Sequence, residues 1–112
     1  MYSLKALVLE GCPYCRQLKD LLTEYNIKTE YVTIPWNIKD KYKTKEISTF
    51  PQVYMIDKNE KSTLIGGYSD VKNIIDILRD NNYDNIKKKI SSKYYSLSNK
   101  TQLRLIELFT KN

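Results

Sequence analysis

The chain has no histidine. That removes Ser–His and Cys–His nucleophilic catalysis and every imidazole metal site. It has only two cysteines. Without histidine, one copy cannot build a four-ligand Cys/His zinc cage. Glycine and proline are sparse, at three each in 112 residues, so their positions are informative. No apolar run is long enough to span a bilayer. Lys5 interrupts the N-terminal apolar stretch and no cleavage pattern follows it, so no secretory signal is expected and the expected location is the reducing cytoplasm.

The length suits one domain with a modest core. The net charge of +6 is unevenly spread. Residues 1–82 carry 12 Lys/Arg against 11 Asp/Glu, a net of +1, and residues 83–112 carry 7 against 2, a net of +5. The basic character therefore lies in the last segment, which divides the chain into a domain over 1–82 and a basic C-terminal extension over 83–112.

Tyr2 to Leu9 reads as a strand that is mostly apolar on both faces. Gly11 supplies a turn, and Pro13 suits the first turn of a helix, where a missing N–H costs little. Leu18, Leu21, Leu22 and Tyr25 continue it at helical spacing, with Asn26 as the stop. Thr29 to Ile34 reads as a second strand. Asn37 to Ile47 reads as a short, Lys-rich, solvated helix anchored by Ile38, Tyr42 and Ile47. Gln52–Ile56 and Thr63–Ile65 form a hairpin around a polar turn. Val71, Ile74, Ile75 and Leu78 give a helical stripe with Ser69 or Asp70 as N-cap. In the tail, residues 86–93 mix charge with sparse apolar residues, and Thr101 to Phe109 reads as a terminal helix. The order β-α-β-α-β-β-α implies an α/β fold: a four-stranded mixed sheet covered by helices, whose first half is a right-handed crossover with parallel strands.

The two cysteines stand in Cys12-Pro13-Tyr14-Cys15, between strand and helix. Such a pair can cycle between dithiol and disulfide. Only a thiolate attacks a disulfide, and a helix N-terminus stabilises negative charge, which favours Cys12 as nucleophile and Cys15, one turn in, as resolving thiol. The plainer alternatives are two core cysteines, or half of a metal site shared between chains. Thr49-Phe50-Pro51-Gln52-Val53 reads two ways. Pro51 is either an ordinary strand opener or a cis proline that turns the Phe50 backbone toward the cysteines, where a peptide-like thiol could pair as an added strand. Gly66-Gly67-Tyr68-Ser69-Asp70 also reads two ways. It is either a plain strand-to-helix turn, or a seat for an α-amino-acid head, with helix N–H groups toward the carboxylate and Asp70 toward the amine.

Taken together and in this order, Cys-Pro-Tyr-Cys, Thr-Phe-Pro-Gln-Val and Gly-Gly-Tyr-Ser-Asp resemble a dithiol glutaredoxin over residues 1–82. Thioredoxins usually carry Gly-Pro between the cysteines and lack the last motif. The resemblance implies a thioredoxin fold and glutathione as co-substrate, with no metal expected. It implies Cys12 as the attacking thiol and Cys15 as the resolving one. Tyr14 would flank the glutathione groove, Thr49 and Phe50 would pair with the glutathione backbone beside a cis Pro51, and Gly67, Tyr68, Ser69 and Asp70 would hold the γ-glutamyl head. The implied substrates are protein disulfides and glutathionylated proteins. Ribonucleotide reductase is a common client of such proteins, though nothing in this sequence encodes that choice. A monomer is expected, with no membrane or nucleic-acid partner.

Two departures stand out. Many glutaredoxins carry Lys or Arg three residues before the first cysteine, where this chain has Leu9 followed by Glu10. A Cys12 thiolate thus receives less electrostatic help, unless Arg16, Lys19 or Lys45 supplies it. The tail is the second departure. It is expected to pack through Leu105, Ile106 and Phe109, the alternative being a basic docking element for an acidic protein, nucleic acid or membrane surface. Two other functions compete: a glutathione-dependent [2Fe–2S] carrier, which Pro13 opposes because cluster-binding members more often carry a smaller residue there, and a redox-tuned interaction protein.

Overall fold

Strand β1 (Ser3–Leu9) alternates, burying Leu4, Ala6 and Val8 while Lys5, Leu7 and Leu9 stay partly exposed. The expectation of a strand apolar and buried on both faces therefore holds for one face only. In the computed structural model, which describes residues 2–110, helix α1 (Pro13–Glu24) follows β1 and carries the chain to β2 (Glu30–Ile34), parallel to it. Leu18 and Leu22, one turn apart, are fully buried against the sheet side of this crossover. Asn26 stops the helix in the left-handed region (φ 55°), and Ile27 N–H donates back to Leu22 at 2.8 Å.

Strand β3 (Gln52–Ile56) runs antiparallel to β1, and β4 (Ser62–Gly66) runs antiparallel to β3, giving a sheet of order β2-β1-β3-β4. The Asp57 side chain closes the hairpin by accepting from Asn59 and Lys61 N–H. Helix α2 (Tyr68–Leu78) buries Val71, Ile74 and Ile75 and packs on α1. Its N-cap is Gly67, upstream of the expected Ser69 or Asp70. Asp70 instead stands at the third helical position and accepts from Gly67 N–H.

The segment expected as a helix over 37–47 is a short 3-10 helix, Trp36–Tyr42, with no buried residue. Four lysines at alternate positions from 39 to 45 and only three apolar anchors leave a longer helix nothing to bury. Thr44 and Ile47 close a tight turn in its place.

The tail holds two helices, α3 (Tyr83–Lys93) and α4 (Asn99–Thr110). The first was not legible as a separate element. Asn82 caps it by accepting from Asn85 N–H, and only Ile86 and Ile90, four residues apart, face inward. Ser98 begins α4 by accepting from Thr101 N–H. Ile90 and Leu105 are fully buried, and with Ile86, Ile106 and Phe109 they belong to the same core as β1, α1 and α2. Buried Gln102 ties the two helices, donating to the carbonyls of Tyr94 and Leu97. The expected packing of Leu105, Ile106 and Phe109 is what the fold displays. Among the described residues, no helix is long and apolar enough to cross a membrane.

Candidate active site

The site begins where β1 ends. Gly11 takes φ 70°, which turns the chain from strand to helix. Cys12 is then the N-cap of α1, with extended backbone angles and Pro13 at the first helical position. Its sulfur accepts the Cys15 N–H at 3.3 Å, a capping interaction in which Sγ faces the positive end of the helix. On the other side the Cys12 thiol donates to the Phe50 carbonyl at 3.7 Å, across 38 residues of sequence. Cys12 is half-buried and Cys15 buried, and both are free thiols.

Cys15 is held differently. Its sulfur accepts the Leu9 N–H at 3.3 Å, at the end of β1. Burial pushes its thiol up to about 12, reinforced by its hydrogen bond with Cys12, while the Leu9 N–H and Lys19 pull more weakly the other way. Cys15 therefore rests as a neutral thiol through the neutral range.

The Phe50–Pro51 bond is cis. Pro51 and Gln52 are buried, and both polar atoms of the Gln52 amide are hydrogen-bonded. It donates to the Tyr42 carbonyl at 2.9 Å and accepts from the Tyr54 hydroxyl at 3.0 Å. This ties the Trp36–Tyr42 segment to β3 beside the thiols. Tyr14 is exposed and meets Tyr68 with ring centroids 6.0 Å apart.

One groove of about 540 Å³ collects Tyr14, Thr49, Phe50, Pro51, Gly67, Tyr68, Ser69 and Asp70, the full set of ligand residues picked from sequence. Glu46 lines it as well and had not been picked out. Gly66 closes its far end at φ 136°, and a Cβ there would collide with the Asp70 carboxylate. A second groove, of about 330 Å³, holds Cys12, Cys15, Glu10, Arg16 and Lys19. Of the three cations considered as replacements for the missing upstream one, Arg16 and Lys19 lie there, while Lys45 lines neither groove. Lys93, on α3, was not singled out in the sequence. Its Nζ lies 2.9 Å from Asp70 Oδ1.

A dithiol at a strand-to-helix turn, in a β2-β1-β3-β4 sheet with a parallel first pair, defines a thioredoxin-fold thiol–disulfide oxidoreductase. The family model described as glutaredoxin matches residues 1–59, and the chain belongs to the glutaredoxin family. Among solved structures, glutaredoxin 1 from Francisella tularensis, complexed with cacodylate, is similar at 26% identity and a TM-score of 0.54, over 71% of this chain and 100% of that one. A comparison with curated protein sequences gave no match.

Proposed function

We propose that this chain is a dithiol, glutathione-dependent oxidoreductase that reduces protein disulfides and glutathione mixed disulfides in a reducing cytoplasm. The observation that carries it is the placement of the Cys12 thiol on the Phe50 carbonyl, at the rim of the groove that ends at Gly67–Asp70. A sulfur bonded to Cys12 would lie beside the groove edge, where the Thr49–Phe50 backbone could pair with the glutathione chain. The γ-glutamyl head would reach the start of α2.

The chemistry balances with two thiols. The Cys12 thiolate attacks the glutathione-side sulfur of a mixed disulfide. A Cys12–glutathione disulfide forms, and the protein thiolate leaves and takes up a proton. A second glutathione thiolate attacks the glutathione sulfur of that disulfide, releasing oxidised glutathione and regenerating Cys12. With a protein disulfide, the first attack links Cys12 to the target. Cys15 then loses its proton and attacks the Cys12 sulfur, expelling the reduced target and closing a Cys12–Cys15 disulfide, which two glutathiones reduce. The burial that keeps Cys15 protonated supports this order, with Cys12 attacking first. In this proposal residues 1–82 form the redox domain and residues 83–112 its C-terminal extension, whose helices α3 and α4 pack onto it, with 111 and 112 lying outside the described residues. The chain acts as a monomer with no metal.

The test is turnover in an assay coupling glutathione and its reductase to a glutathionylated peptide. Cys12→Ser should abolish activity. Cys15→Ser should keep deglutathionylation and lose most reduction of a protein disulfide. No turnover by the unmodified chain, or loss of both activities in Cys15→Ser, would refute the proposal.

A further inference from the structure

The Asp70 carboxylate faces the groove with both oxygens already engaged. Oδ2 accepts the Gly67 N–H at 3.0 Å, and Oδ1 lies 2.9 Å from Lys93 Nζ. Lys93 comes from the last turn of α3, 23 residues further along the chain. Its placement is anchored. Ile90, one turn earlier, is fully buried, and the next residue, Tyr94, donates its hydroxyl to the Ile65 carbonyl at 2.9 Å. That bond fastens the end of α3 to β4, directly before Gly66 and Gly67. Lys93 does not line the ligand groove. It lies in the crevice between α2 and α3 with Asn73, Ile77 and Lys89, and reaches Asp70 from behind.

The consequence is electrostatic. An unpaired carboxylate at this position would attract the α-ammonium of an amino-acid head. With an ammonium of the protein's own in contact, the local charge is near zero, and an incoming ammonium gains little. The N-terminal N–H groups of α2 still favour an anion, and Lys93 adds to that field. We propose that Lys93 is a specificity-determining residue of the head-group end of the groove. It makes this end select thiol ligands by the head carboxylate, with the neighbouring α-ammonium contributing almost nothing. This inference rests on the glutathione reading of the groove.

The experiment compares two mixed disulfides of one peptide in the coupled assay. One carries glutathione. The other carries the des-amino analogue, in which hydrogen replaces the α-ammonium group. The unmodified chain should show KM values within about twofold of each other, and Lys93→Gln should favour the ammonium-bearing substrate by about fivefold in KM, the factor expected of a partly exposed ion pair. kcat should stay unchanged, because the preference gained concerns binding common to ground and transition states. Lys93→Met should shift the ratio as Gln does, and Lys93→Arg should restore the original one. A tenfold preference of the unmodified chain for the ammonium-bearing substrate overturns the inference without any variant. An unchanged ratio in Lys93→Gln with turnover intact also overturns it, and leaves the proposed function standing. No turnover of either substrate by any of the proteins overturns both.

Discussion

Replacing Ile90 with alanine tests whether α3 is part of the fold or a detachable arm. Ile90 is fully buried and belongs to the single core shared with β1, α1, α2 and α4. Truncation removes three carbons from a site that cannot collapse freely, because Tyr94 and Gln102 hold the neighbouring backbone by hydrogen bonds. Such changes cost about 2–5 kcal/mol, out of a total stability on the order of 5–15 kcal/mol. For a domain of this size each kcal/mol lowers Tm by about 4 °C, so the midpoint should drop by roughly 8–20 °C. Circular dichroism melting of Ile90→Ala against Lys88→Ala is the assay. Lys88 is exposed on the same helix, and its replacement should change stability by no more than about 0.5 kcal/mol. A midpoint for Ile90→Ala within about 4 °C of the unmodified chain would refute the reasoning. The tail would then be a docking arm, with its lysines free to meet a partner.

The raised Cys15 pKa gives a pH dependence with a definite sign. The folded state holds this proton up to about 12, whereas the unfolded thiol releases it near 9.0, so stability is complete below pH 9 and falls between pH 9 and about 12. The slope is at most about 1.4 kcal/mol per pH unit. Denaturant melts of Cys15→Ser over that range should decline less steeply than those of the parent, and equal slopes would count against the assignment. Gly66→Ala should destabilise the chain by about 1–3 kcal/mol or more, because φ 136° disfavours a side chain and the new Cβ would displace Asp70. An unaltered Tm would contradict this. Tyr94→Phe removes the hydroxyl bond to the Ile65 carbonyl at 2.9 Å and should cost about 1 kcal/mol. A chemical-denaturation midpoint at or above that of the parent would show that water replaces the bond without penalty.

Strands and helices with strong local patterns were readable because each carries its own periodicity. Leu18 and Leu22 mark α1, and Val71, Ile74 and Ile75 mark α2. The dithiol was readable because both cysteines lie within one helical turn, where local geometry alone brings them together. The eight groove residues were picked as motifs, and the structure gathers all of them. The weakly patterned segments were not readable. The lysine-rich stretch after β2 shortened to a 3-10 turn, and α3, with only Ile86 and Ile90 inward, showed no stripe in sequence. The N-cap of α2 moved to Gly67 because the Asp70 side chain reaches back to that N–H, a contact that depends on the backbone turn at Gly66.

The sequence by itself determined the order of β1, α1, β2, β3, β4 and α2, the thiol pair and its place at a helix start, since these depend on neighbours within about one turn of chain. Tertiary structure alone decided the contacts that join distant residues. It sets Cys12 on the Phe50 carbonyl, buries Cys15 enough to hold its proton, and delivers Lys93 to Asp70. Those contacts depend on sheet register and on how α3 packs. Neither is written in any single segment, because the energy that sets them comes from burying several segments together.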